Sequence, residues 1–362
     1  MPLPVRNFGP RPRDELTRWS TAPLAHDTLA PIPGFAAEPP PAEVVTVCGQ
    51  DVLVRRTDGP ARAPHTWYIH GLDGASTNWD RLAAALNGHS TGFAMDLPGS
   101  GRSEPPRDGD YSITREAKLC ASLIERVSRG PVHLVGNSRG GVVATYLAAR
   151  FPQLVRTLTL VSPAVPDLRL AGERGADPKL ALVMLPGIRP WVVRQLALIS
   201  PAQRASALAA VCFGEPERLS PADLAAAEHE FRERSAFPWM RDATVMSLRS
   251  LIRAQMRPGP WSYAAACRSV RVPVLIVWGT RDRLVDARLA RRTVRDFADG
   301  RLLMLARTGH VAQMERPAQV ARAMLALWRA ATPVDRRAPA ARDVQPLAPG
   351  APEPAVLDGV AL

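Results

Sequence analysis

The sequence predicts an α/β fold, with a mostly parallel central sheet covered by helices on both faces and a helical segment inserted before the last two strands. Three observations carry this reading. Short, continuously apolar runs alternate with helical patterns along much of the 362 residues, as strands buried on both faces of a parallel sheet do. That rhythm stops between about Ala164 and Cys267, where helical material replaces strand-like runs. Both ends of the chain are dense in proline and fit neither pattern.

Residues 1–41, ending "PIPGFAAEPPP", read as an extended or disordered arm. From residue 42, "EVVTVCG" and "QDVLVRRT" alternate on either side of a glycine and predict an antiparallel hairpin. The runs "HTWYIHG" (65–71), "GFAMDLPG" (92–99), "VHLVGN" (132–137), "VRTLTLVSP" (155–163), "VPVLIVWG" (272–279) and "RLLMLAR" (301–307) have the length of buried strands. Helical patterns such as "SITREAKLCASLIERV" lie between several of them. The body therefore comprises 42–163 and 268–331, and 332–362 is a second extended or disordered arm. The insertion, 164–267, contains "RPWVVRQLALIS", "SPADLAAAEHEFRERS" and "ATVMSLRSLIRAQM". Its place in the order predicts a helical cap over the C-terminal edge of the sheet, where open α/β sheets hold their ligands.

At 46% hydrophobic residues the chain can bury a substantial core. Its net charge of +12 raises the question of an anionic partner. Residues 281–331 carry eleven arginines against five acids, but these are spread along helical stretches such as "DARLARRTVRDFADG". They do not form a basic run interleaved with aromatics, so nucleic acid is not the expected partner. Cys48, Cys120, Cys212 and Cys267 form no C-x-x-C pair and no metal-like spacing with histidine, which reads as a reduced, cytoplasmic chain without a metal or other cofactor. No stretch approaches the run of about 18 apolar residues that a membrane span needs, and the N-terminus lacks a signal-peptide core. The expected ligand is a small molecule; the pattern does not specify an oligomeric state.

The chemistry centres on Gly136-Asn137-Ser138-Arg139-Gly140. The pattern G-x-S-x-G arises by accident about once in ten chains of this length, so its surroundings decide. Ser138 lies between the predicted strand "VHLVG" and the predicted helix "GGVVATYLAARF". A tight strand-to-helix turn lifts a nucleophile out of the backbone, and the following helix start offers free N–H groups to a developing anion. A serine hydroxyl needs a base, and the base needs an orienting group. Asp282 follows one predicted strand in "WGTRDRLVD", and His310 follows the last in "RTGHVAQMERP". Both then lie on the same sheet edge as Ser138; Asp286 is the alternative acid. The amides of Leu72 and Arg139 are the expected oxyanion donors, and His70 is expected to shape the loop before Leu72 through hydrogen bonds.

The segments "HGLDGASTNWDRLAAAL", "DLPGSGRSEPP", "GNSRGG", "WGTRDRLVD" and "GHVAQMERP" occur in one order across residues 42–331. In this the chain resembles the cap-bearing serine hydrolases of the α/β-hydrolase superfamily, the esterase and lipase kind. The resemblance implies Ser138 as nucleophile, Asp282 as acid and His310 as base. Relatives that place the acid one strand earlier differ here, since "VSPAVPD" has no carboxylate before Asp167. Dehalogenases and epoxide hydrolases of the superfamily carry an aspartate where this chain has Ser138. The Arg139 side chain is unusual at its position; loop placement suggests Asp73 or Glu315 as its partner, because an unpaired buried charge is costly.

Trp191, Trp239, Met240 and Trp261, with Met184, Leu185, Phe231, Phe237 and Met256, give the insertion an apolar surplus. They suggest an apolar pocket and a hydrophobic acyl or aromatic substrate. Ester hydrolysis is the expected reaction. Carbon–carbon cleavage of a ring-fission diketone by the same triad, or a non-catalytic binding protein on the same fold, are the alternatives.

Overall fold

The computed structural model describes residues 14–167 and 183–331; the predicted arm at 332–362 and the first residues of the N-terminal arm lie outside this range. Eight strands form one sheet in the order β1-β2-β4-β3-β5-β6-β7-β8. They are β1 (Ala42–Val47), β2 (Gln50–Thr57), β3 (His65–Ile69), β4 (Thr91–Met95), β5 (Val132–Asn137), β6 (Val155–Val161), β7 (Val274–Gly279) and β8 (Gly300–Leu305). The β1–β2 and β2–β4 pairs are antiparallel and the rest parallel. The predicted hairpin closes through Cys48 and Gly49, at φ 50° and 67°. Two successive left-handed residues match the twist of a two-residue hairpin turn.

The continuous apolar runs have a direct cause: successive side chains of a strand point to opposite faces, and here both faces are covered. Trp67, Leu134, Leu160 and Ile276 enter one core; their neighbours Tyr68, Val135, Val161 and Val277 enter the other. The first core is packed by α2 (Ile113–Val127) and α3 (Arg139–Arg150), the second by α1 (Asp80–Leu86) and a long C-terminal helix, Pro317–Ala330. Ser112 caps α2 by accepting from the Arg115 amide, which satisfies one of the free N–H groups of a helix start.

Between β6 and β7 the described residues are helical, as the break in rhythm predicted: α4 (Arg189–Ala197), α5 (Pro201–Cys212), α6 (Pro221–Ser235), α7 (Met240–Met256) and α8 (Tyr263–Ser269). The predicted boundary at 267 falls inside α8, whose Tyr263, Ala266 and Cys267 belong to the same core as α2 and α3. After β7 come α9 (Ala290–Arg295), α10 (Ala312–Glu315) and the C-terminal helix, α11.

Within the predicted N-terminal arm, Asp14–Trp19 forms a 3-10 helix, and residues 20–41 have no helix or strand but are docked on the body rather than free. The Thr21 and Ala22 amides donate to the Leu302 carbonyl at 2.7 and 2.9 Å. The Thr21 and Ser20 hydroxyls accept from the Leu302 and Met304 amides at 3.0 and 2.9 Å. This segment therefore runs along the outer edge of β8. Among the described residues, no helix is long and apolar enough to cross a membrane.

Candidate active site

The turn after β5 is built by glycine. Ser138 sits at φ 53°, ψ −119°, a conformation costing a non-glycine residue about 1–3 kcal/mol that persists only where its surroundings impose it. They do so from two sides. The Ser138 amide donates to the Val161 carbonyl at 3.0 Å, and its carbonyl accepts from Gly141 and Ala164 at 3.0 Å each. A Cβ on Gly136 would overlap the Gly140 carbonyl, and one on Gly140 would overlap the Ile69 and His70 carbonyls. Both glycines of the motif are thus required for close backbone approach, leaving Ser138 raised at the start of α3.

Asp282 and His310 meet as the sequence predicted: His310 Nδ1 lies 2.9 Å from Asp282 Oδ2, and both residues are buried. A carboxylate only accepts, so Nδ1 is the donor in this bond, and in the neutral imidazole the lone pair is then on Nε2. Asp282 Oδ1 accepts from the Leu284 and Val285 amides at 2.9 Å each, which fixes the carboxylate. Asp286, the alternative acid, is engaged elsewhere, accepting from the Arg288 amide at 2.9 Å at the start of a short 3-10 turn.

Asn137, the variable position of the motif, was not singled out by sequence. Its Nδ2 donates to the Val161 carbonyl at 3.0 Å and to the His310 carbonyl at 3.1 Å. The residue beside Ser138 therefore holds the histidine loop in place.

The loop after β3 lies against the same turn: a Cβ on Gly71 would stand 3.1 Å from Ser138 Cβ. His70 shapes this loop as expected. Its Nδ1 lies 2.7 Å from the Gly71 carbonyl, and its Nε2 accepts from the Leu97 amide at 3.0 Å. These bonds define a neutral imidazole, and burial pushes its pKa down to about 4. Asp96, also fully buried, accepts from the Ser76 and Arg102 amides at 2.6 and 2.8 Å. The Arg139 amide opens α3, where no intrahelical acceptor exists.

The Arg139 side chain corrects the sequence reading, because neither Asp73 nor Glu315 pairs with it. Its Nη2 donates to Glu116 Oε1 at 2.6 Å inside the body, where the two side chains are 1% and 2% exposed. Glu116 lies in the first turn of α2, where an acid ordinarily reads as a solvated partner of the helix dipole. Burial pushes the Glu116 carboxyl up, and Arg139 opposes that.

Asp73 and Glu315 instead join the insertion to the body. Asp73 accepts from Arg204 Nε and Nη2 at 3.0 and 2.6 Å, and its carbonyl accepts from Arg234 Nη2 at 3.1 Å. Glu315 accepts from the Gly309 amide at 2.7 Å and the Gly214 amide at 2.9 Å, bridging the histidine loop to the residues after α5. Burial pushes its pKa up to about 7. The His310 amide donates to the Cys212 carbonyl at 2.7 Å, and Arg283 donates to the Ala210 and Phe213 carbonyls. Of the basic C-terminal stretch, Arg288 likewise pairs with Asp286, and Arg307 and Arg316 with Glu215.

The four apolar residues singled out in the insertion are placed differently from one another. Met240 is buried, with Sδ 3.9 Å from Arg234 Nη2, and Trp239 stacks on Phe237 with ring centroids 5.1 Å apart. Trp191 and Trp261 are 57% and 55% exposed and take no part in the hydrogen-bonded arrangement around Ser138.

A strained serine at a strand-to-helix turn beside a histidine–carboxylate pair, on this sheet, defines an α/β hydrolase. The alpha/beta hydrolase family profile matches residues 68–323, and the chain belongs to that family. Esterase Rv0045c of Mycobacterium tuberculosis is 30% identical over 176 residues, covering 46% of this chain and 58% of the esterase. Monoacylglycerol lipase ABHD6 of Bos taurus is 24% identical over 280 residues, covering 74% of this chain and 75% of the lipase. Among solved structures, a putative lipase of Acinetobacter baumannii shares the fold with a TM-score of 0.64 at 22% identity, over 80% of this chain and 91% of that one.

Proposed function

We propose that this hydrolase is a serine esterase that cleaves a carboxylic ester through an acyl-enzyme. The observation that carries the reading is the His310–Asp282 bond of 2.9 Å on the sheet edge that also presents the strained Ser138. His310 Nε2 takes the Ser138 proton as Oγ attacks the ester carbonyl. The Leu72 and Arg139 amides donate to the oxygen that gains charge, and His310 returns the proton to the departing alcohol. Water deprotonated by the same histidine then releases the acid and restores Ser138. Asp282 holds the imidazole in its productive tautomer and stabilises its cationic form.

The names of the esterase and lipase relatives support an ester substrate. The helices of the insertion act as a cap over the site and contribute an apolar wall for the acyl group. Of its four singled-out residues, we assign Met240 and Trp239 to that wall: Met240 is buried against Arg234, whose guanidinium reaches the Asp73 carbonyl next to Leu72, whereas Trp191 and Trp261 are more than half exposed. Ser138→Ala should abolish hydrolysis of p-nitrophenyl acyl esters and labelling by a fluorophosphonate while leaving the circular dichroism unchanged. Retained turnover or labelling overturns the assignment.

A further inference from the structure

We propose that Asp73 is a positioning residue. Gripped by Arg204 and Arg234 of the insertion, it aims the Leu72 amide at the oxygen that gains charge, so that seating of the insertion sets the rate of turnover. The proposal rests on the reading of Ser138 and Leu72 given above.

The peptide planes around Leu72 carry the argument. In a trans peptide the C=O and N–H point in opposite directions, so whatever holds the Gly71 carbonyl also directs the Leu72 N–H. That carbonyl is held twice, by His70 Nδ1 at 2.7 Å and by the Gly74 amide at 3.1 Å. The far side of Leu72 is held through Asp73, which sits at φ 58°, in the left-handed region that aspartate enters more readily than most residues. Its carboxylate lies in the fork of Arg204, and its carbonyl accepts from Arg234. Removing these contacts loosens the Leu72–Asp73 side of the turn, so the two bonds to the Gly71 carbonyl are left alone to hold the Leu72 N–H in its direction.

The holding groups are themselves fixed. Arg204 is 11% exposed, Arg234 3% and Asp73 13%. Both guanidinium groups lie over the Phe231 ring, 5.5 and 5.3 Å from its centroid. Arg204 belongs to α5 and Arg234 to α6, so two helices of the insertion converge on one residue of the body. Two cations share one carboxylate, and loss of Asp73 leaves both without their counter-charge.

The experiment compares Asp73→Asn with the wild-type protein, using p-nitrophenyl butyrate and a trifluoromethyl ketone that requires the oxyanion donors. A misplaced donor costs turnover more than ground-state binding. The expected result is a fall of about tenfold or more in kcat, a parallel loss of ketone affinity, and a KM close to wild type. Wild-type kcat and ketone affinity in Asp73→Asn overturn the proposal. If Asp73→Asn does not fold, Arg204→Lys carries the test, because it keeps the cation and loses the fork. A reduced kcat with wild-type KM and melting temperature supports the proposal, and wild-type kcat overturns it. Ser138→Ala separates the two readings. If it is inert while Asp73→Asn turns over normally, only the positioning role falls; if it is active, the serine reading falls and takes the positioning role with it.

Discussion

Arg139 and Glu116 form an ion pair sealed inside the body, Nη2 to Oε1 at 2.6 Å, directly behind the turn that carries Ser138. Arg139 Nε and Glu116 Oε2 are buried without hydrogen-bond partners, so the pair is held by one strong contact and the weaker Tyr111 carbonyl at 3.4 Å. Breaking such a pair from one side leaves an uncompensated charge in a low-dielectric interior, at a cost of about 3–5 kcal/mol. Glu116→Leu should lower the unfolding free energy by about that much, read by chemical denaturation. Adding Arg139→Met in the same chain should recover most of the loss, since replacing both partners removes the desolvation penalty together with the attraction. A double variant no more stable than Glu116→Leu would contradict this account.

The two aspartates after β7 should separate in kinetics. Asp282 holds His310 and Asp286 holds the Arg288 amide. Asp282→Asn should therefore lower kcat on p-nitrophenyl esters by about three to four orders of magnitude, through the wrong imidazole tautomer. Asp286→Asn should leave kcat close to wild type. Steady-state kinetics on the two variants, with circular dichroism to confirm folding, decides between them.

Glu315 provides a pH signature. Its pKa is about 7 in the fold, against an ordinary value of 4.5, because burial disfavours its charged form. Between those values the folded state binds more protons than the unfolded state. The contribution of this group to stability is therefore full below the unfolded pKa and declines as pH rises through about 7. Glu315→Gln removes that titration, although it also loses one of the two amide contacts. The melting temperature of Glu315→Gln relative to wild type should rise between pH 5 and pH 8; a difference that stays constant with pH would rule out the titration.

The sheet was legible because strands covered on both faces have little choice of composition: Leu134 and Val135, or Ile276 and Val277, must both be apolar although they point in opposite directions. The candidate site was legible for a related reason. Ser138, Asp282 and His310 each follow a strand at the same edge, so chain order reports proximity. The contacts of the insertion were not. Arg204 and Arg234 lie 131 and 161 residues from Asp73, and no spacing in the sequence links them to it. Glu116 was hidden by its place in the first turn of α2, where an acid is favoured even when fully exposed. The Arg139 partner was sought among loop carboxylates because its backbone belongs to a loop-to-helix turn, whereas its side chain is long enough to reach the neighbouring helix.

The docked segment before β1 has a consequence for how copies of this molecule tolerate one another. β8 is the last strand of the sheet, and a bare last strand is a template on which a second chain can add its own. Here the Leu302 carbonyl and amide and the Met304 amide are already occupied by residues 20–22. The prolines that follow cannot donate to a ladder, so the cover cannot itself recruit another strand. The proline-dense segment thus works as a selvedge along this one edge of the sheet, and a chain trimmed to begin at residue 42 should expose β8 and self-associate through it.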